Sequence, residues 1–260
     1  MNILEKIITF LQFKMETPTP YGWFHLLSVL LIILLIVFLA VKKFKTKRVL
    51  FVLSVIMLLF EVYKQLSFSF DGEKWEYQWY AFPFQFCSTP MYIAFIASLV
   101  KNKKVESCLY SFLATFGTVA GIAVMAYPVT VFIPEVLIDV QTMVHHGFMI
   151  VIGLTLLING DVKLSYKTAL KGLIVFAILV AIAVIVNVIT YHVNFEGGLE
   201  FFYISPYHTP EIPVFDIIHG KVWYPIFLFL YLFAFTLGGL IPVYSVKLIK
   251  KLIKKSVDEN

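Results

Sequence analysis

Residues 24–41 read FHLLSVLLIILLIVFLAV, and the seven that follow, 42–48, read KKFKTKR. The first run contains no Asp, Glu, Lys or Arg, and the second holds five cations. An α-helix advances about 1.5 Å per residue, so about 20 apolar residues cross the roughly 30 Å hydrocarbon layer of a bilayer. The sudden change from apolar to basic marks a helix end held at a membrane surface. Working outward, six more runs of this kind follow, at about 49–68, 83–100, 108–127, 143–159, 169–191 and 222–246. The expected fold class is all-α: a polytopic bundle of about seven transmembrane helices in a single membrane domain, residues 1–260.

Composition excludes the soluble alternatives. Hydrophobic residues make up 60% of the chain and charged residues 14%, against about 25% charged in an ordinary soluble domain. No soluble domain interrupts the spans, and no internal repeat or low-complexity tract is present. Residues 1–15 are apolar but broken by Glu5, Lys6 and Lys14, with no small-residue cleavage site after them. They read as an amphipathic helix in an interfacial segment, 1–20, rather than a signal peptide. The ratio of 20 Lys to one Arg fits an AT-rich, bacterial genome.

The loops alternate in charge. Lys42 to Arg48, Lys101 to Lys104, Lys163 to Lys171 and Lys247 to Lys255 together hold 16 of the 21 basic residues. Between them lie acidic loops with Asp71, Glu73 and Glu76, then Glu135 and Asp139, then Glu196, Glu200, Glu211 and Asp216. Basic loops stay cytoplasmic, so the N-terminus is expected outside and the C-terminus, with a basic tail over 247–260, in the cytoplasm of a plasma-membrane protein. An even helix count would break the alternation. The net charge of +5 is then a topology signal: membrane lipids are the expected partners, and nucleic acid is not. The oligomeric state is not legible.

Polar groups inside a membrane are costly and tend to carry function. All six histidines fall on the predicted outer side or in outer helix ends. Cys87 and His146 each lie about one turn inside the expected outer end of their helices, at about the same depth. Glu61 with Gln65, Gln141 with His145, Thr142 with His146, and Asn187 with Tyr191 each share a helix face at a spacing of four. Pro90 falls inside the expected 83–100 helix, where it frees the carbonyl of Phe86 beside Cys87. Gly117 and Gly121 form a GxxxG pair that permits close helix contact.

Three chemistries compete for these residues. A thiol with a neighbouring imidazole becomes a nucleophile toward acyl carbonyls, and at headgroup depth it would meet phospholipid esters. Cys87 is then the nucleophile, His146 or His145 the base, and Gln85, Gln141 or Asn187 the oxyanion donor, with Glu61, Gln65 and Tyr191 supporting. A binding or transport protein could use the same polar cluster, with Glu61 and Lys64 as a relay. A metal-dependent lipid hydrolase would need three ligands. No HExxH or HxxxH spacing occurs, and adjacent His145 and His146 diverge on a helix, so no metal is expected. Nucleotide motifs are absent and no cofactor is expected. A purely structural polar network is the plainest reading of the same residues.

Tyr21-Gly22-Trp23-Phe24-His25-Leu26, Pro83-Phe84-Gln85-Phe86-Cys87, His146-Gly147, Asn187, Asn194, Tyr203-Ile204 and Trp223-Tyr224 carry a further signal. In order and position they resemble the bacterial YwaF-type membrane proteins over nearly the whole chain. That family is distantly similar to a eukaryotic multispanning family implicated in acyl transfer to ether phospholipids. The resemblance implies a catalytic Cys in the third helix and His in the fifth, which fall on Cys87 and His146. The His145-His146 doublet departs from the pattern and leaves the base open.

Overall fold

The computed structural model describes residues 1–258. Among them there is no β-strand, and six helices are long and apolar enough to cross a membrane. They are α2 (Trp23–Lys42), α3 (Thr46–Ser69), α5 (Lys103–Ala126), α6 (Val136–Asn159), α7 (Tyr166–His192) and α9 (Tyr224–Asp258). Three shorter helices complete the set: α1 (Ile3–Leu11), α4 (Thr89–Leu99) and α8 (Phe215–Ile218). The helices α5 and α6 form the centre, with 72% of their apolar windows buried by protein against 11% for α2. Around them stand α2, α3 and α4 on one side and α7 and α9 on the other. Phe116, Phe176, Phe202 and Tyr231 fill the space between α5, α7 and α9.

Loop contacts sort the bundle into two ends. At one end Gln12 donates to the carbonyls of Ser67 and Phe70, Val136 N–H donates to Phe13, and Trp79 packs on Phe195. The acidic loops meet here with α1, whose Asn2–Glu5 capping box fixes its start. At the other end Lys47 bridges to Glu106, Thr46 donates to Asp161, and Lys250 donates to the last carbonyls of α6.

Three expectations need correction. The third element is not a helix over 83–100. It begins at Thr89 and holds 11 residues, about 16 Å at 1.5 Å per residue, half a membrane crossing. Pro90 therefore lies in the first turn, where a missing N–H costs nothing, and makes no kink. Residues 82–88 run as irregular chain into the bundle. Their polar groups are satisfied by protein, as backbone at membrane depth requires: Thr89 Oγ1 donates to Phe86 O, and Gln85 donates to Glu200 O and accepts from Phe202 N–H. The carbonyl of Phe86 is thus occupied by a side chain. The fifth span starts at Val136 rather than 143. Asp139, Gln141 and Thr142 depress its hydropathy, but they face protein and are buried. The last helix does not end at 246: α9 continues through the basic stretch to Asp258 as one 35-residue helix.

Candidate functional site

The earlier start of α6 moves the histidines. His145 and His146 are its tenth and eleventh residues, so they lie about 15 Å below its first turn, not one turn inside. Glu61 lies eight residues from the end of α3, about 12 Å in. Cys87 reaches the same region because the irregular segment before α4 dips between α3 and α6. A cavity of about 390 Å³ results, lined by Glu61, Lys64, Cys87, Ser88, Gln141, His145 and His146 at its polar wall. Phe68, Tyr80 and residues Thr130 to Val131 line it toward the acidic loop end.

Hydrogen bonds fix the tautomer of each histidine. His145 Nε2 lies 2.9 Å from the carbonyl oxygen of Cys87. A carbonyl only accepts, so Nε2 carries the proton and Nδ1 keeps its lone pair. His146 Nδ1 lies 2.8 Å from Thr142 O one turn back, so here Nδ1 carries the proton and Nε2 the lone pair. Among the described residues neither lone-pair nitrogen has a hydrogen-bond partner, and both are buried. Two neutral imidazoles thus present unused acceptors in the cavity that Cys87 lines. The free nitrogen of His146 is the distal one, at the tip of the ring. That of His145 is the proximal one, and its tip is tied to the Cys87 backbone.

The acidic wall is equally built. Glu61 Oε1 pairs with Lys64 Nζ at 2.9 Å and accepts from Gln65 Nε2 at 2.7 Å, while Glu61 Oε2 is buried without a partner among the described residues. Gln65 also donates to Ala81 O and accepts from the Tyr77 hydroxyl, fastening the irregular segment to α3. Behind His146, Gly121 lets α5 approach α6 closely: a Cβ there would stand 2.6 Å from His146 O. Gly117, the other half of the GxxxG pair, faces Pro90 at an ordinary 3.6 Å. Only one of the two glycines therefore sets a close contact.

Three expected members lie elsewhere. Asn187, fully buried, donates to Phe201 O and accepts from Phe201 N–H; it clamps the 193–223 loop and does not line the cavity. Tyr191 stacks on Tyr207 with ring centroids 3.8 Å apart. Gln85 donates to Glu200 O, accepts from Phe202 N–H, and lines a neighbouring cavity rather than that of Cys87. Gln141 remains on the cavity wall. The remaining histidines are engaged outside the cavity: His25 accepts from Tyr21 N–H and donates to Met125 O, His219 donates to Ser205 O, and His192 meets the Tyr207 hydroxyl. His208 packs against Tyr191.

Sequence reasoning did not single out Ser88, Tyr80 or the 130–133 loop as cavity lining. Only the dip of residues 82–88 brings them together, and its signal was the pair of prolines at 83 and 90. A second cavity of about 730 Å³ shares Tyr80 and is lined by Glu76, Glu196, Glu200 and Glu211 with Gln85. Burial, and then Glu211, push the Glu200 carboxyl up to about 7. Among the described residues no three His, Cys, Asp or Glu side chains gather as a metal site. Cys87 and Cys108 are both unbridged.

Residues 14–241 match the family described as the TMEM164 family, which covers most of the chain. No curated protein and no solved structure matches.

Proposed function

The chain belongs to the TMEM164 family, and from the cavity together with the sequence resemblance described above we propose that it is a membrane lipid acyltransferase with Cys87 as nucleophile. The observation that carries this reading is the cavity in which Cys87 and two buried histidines with unused lone pairs line one wall. His146 is the base in this proposal, because its free nitrogen is the tip of the ring. His145 is a positioning residue that holds the Cys87 backbone.

The Cys87 thiol and His146 Nε2 line one cavity without a hydrogen bond between them; in this proposal they close on one another when substrate binds, the thiol proton passes to His146 Nε2, and the thiolate attacks the acyl carbonyl of a phospholipid. A C–S bond forms, the ester C–O bond breaks, and the imidazolium returns its proton to the departing lysophospholipid alkoxide. A second lysophospholipid hydroxyl then gives its proton to His146 and attacks the thioester, which restores the thiol. Gln141 and the Lys64 ammonium are the donors left for the oxyanion. The site lies well below the headgroups, so the ester has to enter the bundle past Tyr80 and the 130–131 loop.

The test is transfer of a labelled acyl chain to lysophospholipid by the purified protein in liposomes. Cys87→Ala and Cys87→Ser should both abolish it with the fold intact. Full activity in Cys87→Ala removes the nucleophile. A second reading, ion or small-molecule transport, is favoured by the unpartnered Glu61 Oε2 beside Lys64. A lipid-tailed alkylating reagent separates the two: a catalytic Cys87 reacts far faster than Cys108, and a transporter need show no such preference. In the same proposal the acidic loop end faces outward and the basic end the cytoplasm of the plasma membrane. A tag at residue 2 should be reached from outside and a reporter after Lys255 should not; both ends on one side would refute this orientation.

A further inference from the structure

At the basic end of the bundle an apolar groove of about 710 Å³ runs between α2, α5, α6 and α9. Along α9 its lining extends from Ile241 to Ile253, about 18 Å of helix, the length of a lipid acyl chain. Pro242, the proline within α9, lies in this stretch. Where the groove reaches the basic end, one cation enters its lining. Lys250 lines it, with its ammonium set against Leu157 O and Ile158 O at the C-terminus of α6. Lys254 follows one turn later on the same stripe of α9. On α2 the lining ends at Val41, and Lys43, two residues on, caps that helix in a left-handed conformation. Two other apolar grooves, of about 190 and 510 Å³, have no charged side chain in their linings. An acyl-sized trough with a lysine in its lining, and two more close by in sequence, is therefore a local property of this one.

We propose that this groove binds an anionic phospholipid, one acyl chain lying along α9 and the phosphate meeting Lys43, Lys250 and Lys254. Basic pockets between transmembrane helices recognise anionic headgroups in this manner. Charge complementarity selects the occupant: the lysines suit a headgroup with net negative charge and give a zwitterionic one no comparable advantage. Lys43 caps the C-terminus of α2 and Lys250 meets the last carbonyls of α6, two helix ends where an anion would be repelled without their charge. The site lies at the opposite end from the Cys87 cavity, so it stands or falls independently of the acyl-transfer reading.

The experiment is native mass spectrometry of the full chain released from micelles supplied with equal phosphatidylglycerol and phosphatidylcholine. Wild type should retain phosphatidylglycerol in clear excess. The Lys43→Gln/Lys254→Gln variant leaves Lys250 and its helix contacts intact. Each lysine near an anionic headgroup weighs a factor of roughly five, so the preference should fall by about 25-fold. Ile249→Trp fills the exposed side of the groove and should lower retention of the lipid without changing the charge. Soluble glycerol phosphate in excess should not displace it, since the chain contributes to binding. Equal retention of the two lipids by wild type, an unchanged preference in the double lysine variant, or displacement by glycerol phosphate would each overturn the proposal.

Discussion

The substitution Gly121→Ala places a methyl group where α5 crosses α6 directly behind His146. The added Cβ would lie 2.6 Å from the His146 carbonyl oxygen and 3.0 Å from both Ile150 Cγ1 and Met149 Cβ. Ordinary contact begins at 3.4 Å, so the helices must part by roughly 0.8 Å at a backbone atom that cannot rotate away. Overpacking of this kind costs about 1–3 kcal/mol. Replacing glycine by alanine in a helix returns about 0.5–1 kcal/mol, which leaves Gly121→Ala less stable than an unclashed Gly→Ala change by the full overpacking cost of about 1–3 kcal/mol. Gly238→Ala is the control, because its Cβ meets only Val119 Cγ1 at 3.6 Å; it should be neutral or stabilising. Unfolding by sodium dodecyl sulfate in mixed micelles, followed by circular dichroism, measures both. Since the displaced backbone carries His146, the acyl-transfer rate of Gly121→Ala should fall as well. A Gly121→Ala protein as stable as Gly238→Ala would refute the close packing of α5 on α6 and the placement of His146 that depends on it.

Three further outcomes follow from the cavity and the loop beside it. Lys64→Met leaves Glu61 buried without its cation and should destabilise by about 3–5 kcal/mol, while Glu61→Gln/Lys64→Met should recover most of that loss; the same unfolding titration reads both, and no recovery would mean that the ion pair is not the cause. His145→Gln retains a donor for the Cys87 carbonyl and should keep a measurable part of the transfer rate, whereas His146→Gln should abolish it; the reverse order would make His145 the base. The Glu200 carboxyl, held up to about 7 by burial and Glu211 against an ordinary 4.5, binds its proton more tightly in the folded chain, so stability should decline as pH rises from about 4.5 through 7; Glu200→Gln should flatten that slope in a melting series across pH.

Apolar stretches that face lipid were legible because hydropathy reports them directly. The reading of 24–41 and 169–191 differs from α2 and α7 by three residues or fewer at each end. It fails where a helix faces protein. In α6, Asp139 accepts from Ile133 N–H and is fully buried, so a polar first turn that looks like loop is helix. Before α4, Pro83, with Pro90 in the helix's first turn, and side-chain hydrogen bonds from Gln85 and Thr89 hold residues 82–88 out of helical form. No hydropathy window distinguishes that from a kinked span. Lys247 to Lys255 are strong helix formers that leave the apolar layer without leaving the helix. The candidate site was half legible. Cys87, His145, His146, Gln141 and Glu61 share the cavity because each is a polar group at a costly depth. Asn187 and Gln85 bear the same signature for a different reason: they satisfy the backbone of the long 193–223 loop. A polar side chain that serves a ligand and one that serves the chain look alike until the backbone is traced.

The most direct test of the central claim is to trap the covalent intermediate. Purified protein is mixed with a phospholipid bearing a labelled acyl chain, without an acceptor, then quenched in acid and digested for mass spectrometry. The account predicts one labelled peptide, carrying the acyl group on Cys87 as a thioester that hydroxylamine removes. It should be absent in His146→Gln and should disappear from wild type when lysophospholipid is added. Acyl transfer that proceeds with no label on Cys87, or at an undiminished rate in Cys87→Ala, would contradict the account.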